Sequence, residues 1–492
     1  MDKDVIIIGA GISGIACALR LAASGYNVVV FEQNDCPGGK IYEKKMGGYR
    51  FDTGPSLLTM PELVNDTLDA AKVRDKPDFM QLDIICKYFY TDGTKIYAYK
   101  NPDDFAAEVE KKTGEDRINV LNFLSKSRHL FDLTKETFIF SPFKTFENMF
   151  SRDSLKVLIN FRALDVFKSI EKKNRQWFSD KRVEQLFNRF ATYNGSNPYK
   201  APATLNIIAH LEHNIGAYMP EKGMYSLIEM LYKSAMGQGV KFNFNSQVEK
   251  IILENNTVKG VEVNGETVKS KIVVSDADIF LVYNKLLSGK RTPGYLLRQE
   301  LSSSAIIFFW GIKNKYPEME VHNILFSGDY KTEFDYIFTK KLIYNDPTVY
   351  IHISSKYITA DAPAGCENWF VMINVPNNTG QDWDKLVREA RKNIIIKINK
   401  VLNTDIESCI ECEDYADPPL IERSSGSYKG ALYGNSSNNK LSAFFRHPNF
   451  IRRFKGLYFT GGSVHPGGGI PLCLASAKIV AERIIKSNKL IV

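Results

Sequence analysis

The sequence predicts an α/β fold built around a parallel sheet, and three stretches predict it. Val5-Ile6-Ile7-Ile8 is a short, wholly apolar, β-branched run, as expected of a strand covered on both faces. Gly9, Gly11 and Gly14 follow it directly, then an alanine-rich helical run closed by Gly25, then a second apolar strand, Asn27 to Phe31, ending on Glu32. Near the other terminus, Gly456 to Thr460 reads as an apolar strand, followed by a loop from Gly461 to Pro471 and a helical run from Leu472 to Ile485. Both ends of the chain thus carry the same strand–glycine–helix order.

Each element of the first unit has a physical use. Gly9 allows the tight turn, and Gly11 lets a pyrophosphate approach the backbone. Gly14 lets the helix that opens at Ile12-Ser13 pack close to the strand. That helix points amide donors and its positive dipole end at phosphate. Glu32 can accept both hydroxyl hydrogens of an adenosine ribose, which favours FAD or NAD over NADP. In Cys36-Pro37-Gly38-Gly39-Lys40, Gly38 and Gly39 suit a loop laid along a pyrophosphate, with Lys40 adding charge. The turn Thr53-Gly54-Pro55-Ser56 keeps side chains clear of a flat ring. At the C-terminal end, Gly461, Gly462, Gly468 and Gly469 lead to Ile470 and Pro471, which fits a first helical turn. A helix N-terminus there would stabilise negative charge on a reduced ring.

Length and composition bound the rest. A chain of 492 residues implies more than one lobe. The apolar fraction of 44% and charged fraction of 24% are those of an ordinary globular protein. The net charge of +8 comes from short, scattered lysine pairs, which read as solvated faces rather than a nucleic-acid surface and would suit an anionic membrane. A core strand begins almost at Met1, so export is not expected, and no apolar run reaches membrane-span length. The longest, Ala305 to Ile312, reads as a buried strand. Seven irregularly spaced cysteines argue against a disulfide framework. Cys409 and Cys412 form a lone C-x-x-C, and His210 and His213 lack a third ligand, so no metal is expected.

Between the ends, Tyr88 to Tyr97 reads as a hairpin closed at Asp92-Gly93, and Glu108 to Val120 as a charged helix. Leu130 to Phe167 is rich in phenylalanine (Phe131, Phe138, Phe140, Phe143, Phe146, Phe150, Phe161, Phe167), interleaved with basic residues including Lys144, Arg152 and Arg162. It reads either as a helical lobe with an aromatic core or as a half-embedded element at a membrane interface. Helical patterns cover Val183 to Phe190, Leu205 to His213 and Met224 to Met236. Gln247 to Ile252, Val258 to Val263 and Val268 to Val274 read as a small antiparallel sheet with turns at Asn255-Asn256 and Asn264-Gly265. Ser303 to Ile312 and Trp369 to Val375 read as strands of a cavity wall, with a helix at Trp383 to Leu402.

Together these pieces resemble the carotenoid desaturases of the bacterial phytoene-desaturase type, a branch of the FAD-dependent, amine-oxidase-like flavoproteins. The resemblance covers essentially the whole chain. It rests on Gly9 to Gly14 with Glu32, on Pro37-Gly38-Gly39-Lys40, on Phe51 to Leu57, on Asn197-Pro198, on Val273 to Asp278, and above all on Thr460 to Pro471 with its His465-Pro466-Gly467 run. Lys40 stands where the family usually has arginine, which keeps the charge and loses the bidentate fork. The resemblance implies a Rossmann-like FAD-binding domain with an inserted β-sheet substrate domain and a helical membrane-associated lobe. The expected divisions are 1–80, 241–285 and 441–492 for FAD, 81–125, 205–240 and 286–440 for substrate, and 126–204 for the lobe. It adds Gln33, Leu57, Val248, Ser275 and Asp276 to the FAD set.

The implied chemistry is dehydrogenation of a C–C bond in a long apolar polyene, with a hydroxycarotenoid 3,4-desaturase as the specific expectation. Phytoene or diapophytoene desaturation, isomerisation and oxygenation are alternatives within the family. An amine or protoporphyrinogen oxidase would need polar pocket walls, and a carotenoid carrier with structural FAD would not reduce its flavin. Electrons would leave to a quinone or oxygen, not a nicotinamide. The expected location is the inner face of the cell membrane, attached peripherally through Leu130 to Phe167. Hydride loss would leave a cation that aromatic faces could stabilise, and no residue marks itself as the catalytic base. Neither the electron acceptor nor the oligomeric state is legible.

Overall fold

A computed structural model describes residues 4–142, 156–157, 159–160, 164–287, 289–439 and 446–489. Its organising element is a five-stranded parallel sheet in the order Leu457–Phe459, Ile272–Ser275, Asp4–Ile8, Asn27–Phe31, Lys241–Asn243. Ile6 lies opposite Val273 on one side and Val29 on the other. The strand order therefore reverses direction at Asp4–Ile8, and a crevice opens at the carboxyl end of that strand. The helix Ile12–Ala23 packs its small face against the C-terminal helix Ile470–Lys489, and Ala16, Leu19, Ala477 and Val480 are buried in the shared core. Gly25 takes the left-handed conformation just beyond the first helix. A Cβ on Gly14 would sit 2.3 Å from the Gly9 carbonyl oxygen, so this helix and strand can only meet at a glycine.

A three-stranded antiparallel sheet, Val248–Glu254, Thr257–Val263 and Glu266–Lys269, stands beside the parallel one. Its turns use Asn255, Asn256, Asn264 and Gly265 at positive φ, as expected of tight hairpins. The expected single strand from Val268 to Val274 is divided. Glu266–Lys269 closes the hairpin, whereas Ile272–Ser275 joins the parallel sheet beside Asp4–Ile8. The change of partner falls at the polar break Lys269-Ser270-Lys271.

The second large layer is a seven-stranded mixed sheet, ordered Ile410–Ala416, Ser304–Ile312, Glu367–Val375, Val349–His352, His322–Leu325, Ile84–Phe89, Lys95–Tyr99. Period-two alternation divides its faces. Ile306, Phe308, Trp310, Trp369, Val371 and Ile373 pack with the helix Trp383–Leu402, while Ile307, Phe309, Phe370 and Met372 face a cavity. Ala305 to Ile312 is buried throughout, as expected. The hairpin at Asp92-Gly93 also forms, with Gly93 at positive φ.

Elsewhere helices break where the sequence suggested continuity. The charged helix expected over Glu108 to Val120 is two helices, Pro102–Thr113 and Arg117–Lys135. Gly114 ends the first in the left-handed conformation and the Asp116 side chain caps the second. Leu205 to His213 is a succession of tight and wide turns rather than one regular helix. Phe143, Phe146, Phe150 and Phe161, with Lys144, Arg152 and Arg162, lie outside the described residues. So do 441–445 of the expected C-terminal segment. Of the aromatic stretch that is described, Phe131 is buried, Phe138 and Phe140 are half-buried and Phe167 is exposed.

Candidate active site

One cavity of about 960 Å³ connects the carboxyl end of the parallel sheet with the inner face of the seven-stranded sheet. Every residue expected at the FAD site lines it except Gly14, Ser275 and Gly461. Those three stand behind the wall. Gly14 is spent on helix–strand packing, Ser275 is wholly buried within its strand, and Gly461 abuts the Asp276 carboxyl. Gly9, Gly11, Ile12, Ser13, Gly38 and Gly39 form the crossing between the two halves of the parallel-sheet end, and Gly11 bridges to Gly38.

Glu32 is buried at the end of its strand, and the fold fixes its carboxylate. Oε2 accepts from the Ala10 N–H at 2.7 Å and Oε1 from the Asn34 N–H at 2.9 Å. Each oxygen keeps lone pairs for a further donor. Asp276 lies across the first turn of the first helix and accepts from the Gly14 N–H at 2.9 Å. Burial raises its pKa to about 7, against the lowering effect of that hydrogen bond; the neighbouring Glu32 charge raises it further. Lys40 exposes its side chain to the cavity while protein rings it. Its Nζ donates to the Leu432 carbonyl at 2.6 Å, and desolvation lowers its pKa against the pull of Asp278 and Asp276.

The two glycine loops are joined by side chains. Ser13 Oγ donates to the Cys473 carbonyl at 2.8 Å and meets Thr460 Oγ1. His465, in the most distinctive motif, does not line the cavity. It is buried, its Nε2 pairs with the Ser141 carbonyl at 3.0 Å, and burial lowers its pKa to about 4, so as a neutral ring it ties the loop to the segment that follows the helix Arg117–Lys135. Gly469, at φ +104°, has nothing within 4 Å of a would-be Cβ, so the loop floor is open there.

Several cavity groups had no motif to announce them. Arg446 is buried beside the glycine loop and donates to the carbonyls of Tyr433 at 3.2 Å and Gly462 at 3.3 Å. Burial lowers its pKa to about 10, and carbonyls are its hydrogen-bond acceptors among the described residues. Arg189 and Glu212 form a buried ion pair at 2.9 Å. Arg189 also donates to Tyr88 Oη at 2.8 Å, and the Tyr193 hydroxyl donates to Glu212. Ser56, Tyr350 and His322 make a third polar group on the sheet wall. Arg189 and Glu212 lie 23 residues apart and Ser56 and Tyr350 294 apart, so no short motif spans either pair and local spacing carries no signal of them.

The histidine and cysteine pairs noted in the sequence take part in packing. His210 and His213 are both buried packing residues, His210 tilted against Phe131 and His213 stacked on Phe105. Cys409 packs in the core beneath the long helix, whereas Cys412 faces Gly47 and Gly311, so the two thiols point into different clusters. No group of metal-ligating side chains occurs among the described residues.

The residues fit FAD. The cavity offers a fixed carboxylate for a ribose, a crossing bare of side chains at Gly11 and Gly39, an open floor at Gly469 and a buried cation beside it. Its volume lies at the upper end of the usual range for small-molecule pockets.

Comparisons with known proteins agree with this geometry. Residues 12–279 match the flavin containing amine oxidoreductase family. Over 487 residues the chain is 45% identical to a 1-hydroxycarotenoid 3,4-desaturase from a Flavobacterium species, covering 99% of this chain and 100% of the relative. It is 31% identical over 498 residues to a 4,4'-diaponeurosporene oxygenase from Staphylococcus aureus, covering 98% of each. Among solved structures, wild-type putrescine oxidase bound to putrescine superposes with a TM-score of 0.65 at 13% identity, covering 99% of both chains. Cyclohexylamine oxidase from Brevibacterium oxydans does so with a TM-score of 0.62 at 16% identity, over 99% of this chain and 100% of the other. Those two show the shared fold. The full-length relative and the family match together show that the chain belongs to the flavin-containing amine oxidoreductases, as an FAD-dependent oxidoreductase of the carotenoid desaturase branch.

Proposed function

We propose that the protein desaturates a hydroxylated carotenoid at its 3,4 bond with FAD as cofactor. The observation that carries this reading is the full-length identity of 45% to a 1-hydroxycarotenoid 3,4-desaturase, against 31% and 29% for the diaponeurosporene oxygenase and a phytoene desaturase. The cavity supports it. Ile307, Phe309, Phe370 and Met372 offer an apolar wall to a polyene, which a polar amine substrate would not need.

Bound FAD would supply the hydride acceptor for one of the two C–H bonds broken, and the proton from the neighbouring carbon would pass to water or a nearby carboxylate. The chain's own residues would do the rest. Glu32 would hold the ribose and the Gly11–Gly39 crossing the pyrophosphate, and the Gly54-Pro55-Ser56-Leu57 turn would border the ring. The positive end of the Ile470–Lys489 helix and the Arg446 guanidinium would favour negative charge at the loop they share. Phe309, Phe370 and Tyr350 would present ring faces to positive charge spread along the polyene. The substrate would enter from a membrane surface and electrons would leave to a quinone or oxygen. Among the described residues no helix is long and apolar enough to cross a membrane, while Ile159 and Phe167 are exposed beside the helical lobe.

Anaerobic mixing of the FAD-loaded protein with a 1-hydroxylated acyclic carotenoid tests the reading. Bleaching of the flavin should accompany a product with one more conjugated double bond. Bleaching by phytoene alone would move the protein to the other desaturases, and a flavin bleached by no carotenoid would make it a carrier.

A further inference from the structure

We infer that His322, Tyr350 and Ser56 form the subsite that receives the substrate's hydroxyl group; the inference rests on the hydroxycarotenoid reading above. The three side chains line the cavity in a chain of hydrogen bonds. Ser56 Oγ lies 2.5 Å from the Tyr350 hydroxyl, which lies 2.7 Å from His322 Nδ1. The chain stops there. His322 Nε2 has no hydrogen-bond partner, although the residue is 2% exposed. A buried polar atom left unpaired costs about 1–3 kcal/mol, so a wall built this way is completed by a ligand.

The chemistry of the open end selects the ligand. His322 lies opposite His352 on the neighbouring strand, and their rings stack at 4.7 Å. Burial, with the nearby His352 and Arg189, holds His322 well below its ordinary pKa, so the ring is neutral. A neutral imidazole joined to two hydroxyls can run its donors in either direction. A ligand hydroxyl can also donate or accept, so it completes the chain either way. An ammonium or a carboxylate would match only one direction, and the nearby Arg189 and Glu212 charges are already paired with each other.

Position agrees with chemistry. In a 3,4-desaturation of a 1-hydroxylated chain, one methylene separates the hydroxyl-bearing carbon from the nearer reacting carbon. The group that holds the hydroxyl must therefore border the reacting end of the flavin. Ser56 belongs to the Gly54-Pro55-Ser56 turn assigned to the ring, and Tyr350 projects from the sheet beside Phe370. The competing polar cluster is paired at its carboxylate. Both Glu212 oxygens are engaged by Arg189 and Tyr193, and Arg189 also reaches Tyr88; its unpartnered Nε is a donor alone and, unlike the His322 ring, cannot accept from a hydroxyl.

The test compares two pigments, the desaturated hydroxycarotenoid and the same polyene without its hydroxyl. Binding to FAD-loaded protein is read from pigment absorption, alongside the ratio of kcat/KM for the two matching substrates. The unmodified protein should prefer the alcohol in both measurements. His322→Leu and Tyr350→Phe should each cut that preference about 10–100-fold, and His322→Gln, which keeps a hydrogen-bonding group, should restore much of it. Tyr350→Phe removes one oxygen at nearly constant shape and carries the test if His322→Leu fails to fold. A preference intact in both variants overturns the subsite and leaves the function standing. Equal binding and turnover of both pigments by the unmodified protein overturns the hydroxycarotenoid reading, and the subsite with it.

Discussion

At the nucleotide end of the cavity, the surface offered to a ligand is mostly backbone. Gly11 and Gly38 meet as bare backbone, Gly469 leaves open space, and Glu32 is held by the backbone N–H groups of Ala10 and Asn34 as Asp276 is by that of Gly14. At the sheet end the surface is side chains. Phe309, Phe370 and Met372 supply the apolar wall, and Arg189–Glu212 and Ser56–Tyr350–His322 place polar groups within it. A site of backbone amides tolerates changes around it so long as the glycines remain. A site of buried polar side chains depends on each partner, because removing one strands the other in a medium that cannot replace it.

The largest test of that difference is Arg189→Met. It leaves Glu212 charged and buried, with the Tyr193 hydroxyl still on it, and should cost about 3–5 kcal/mol of unfolding free energy in urea titration. Adding Glu212→Gln should recover part of the loss. A single variant as stable as the parent would show that the pair is not buried in solution.

Asp276 is the exception at the nucleotide end, a buried carboxyl that titrates. Its pKa is raised from 3.8 to about 7, so the folded chain binds this proton more tightly than the unfolded chain does. The stabilisation is complete below pH 3.8 and is lost as pH rises towards 7. Relative to Asp276→Asn, the FAD-free protein should lose about 2–4 kcal/mol across that window, read as Tm against pH. Parallel pH profiles for the two proteins would refute a shifted Asp276.

Glu32→Ala should leave the sheet intact and weaken FAD retention by about 10–100-fold, matching a hydrogen bond to a charged group of about 1.5–3 kcal/mol. Flavin fluorescence on dilution reads the affinity. Full retention would mean that the carboxylate serves only Ala10 and Asn34. Arg446→Met should have the smallest effect, a fall of roughly 20 mV in the two-electron flavin potential for about 1 kcal/mol of lost charge stabilisation. A potential that rises or stays level would separate Arg446 from the ring.

The legibility of the two ends follows the same division. The strand–glycine–helix unit, Glu32, the hairpin turns and the alternation in Ser304–Ile312 were readable because each depends on neighbours within a few residues. Local pattern misled where a short break was read through. Val268 to Val274 serves two sheets divided at Lys269-Ser270-Lys271, and Glu108 to Val120 is one charged run broken at Gly114.

By itself the sequence determined the parallel-sheet core, the glycine crossings and the kind of cofactor they accept, because backbone conformation and residue size are local properties. Only the tertiary structure decided that Gly14, Ser275 and Gly461 stand behind the cavity wall, that His465 ties a loop instead of facing the cavity, and that Arg446 lies under that loop. It alone joined Ser56 to Tyr350 and His322, and Arg189 to Glu212. Burial and pairing between distant segments set the charge and hydrogen-bonding state of those groups. No spacing along the chain encodes a distance that exists only after the two sheets have closed on one cavity.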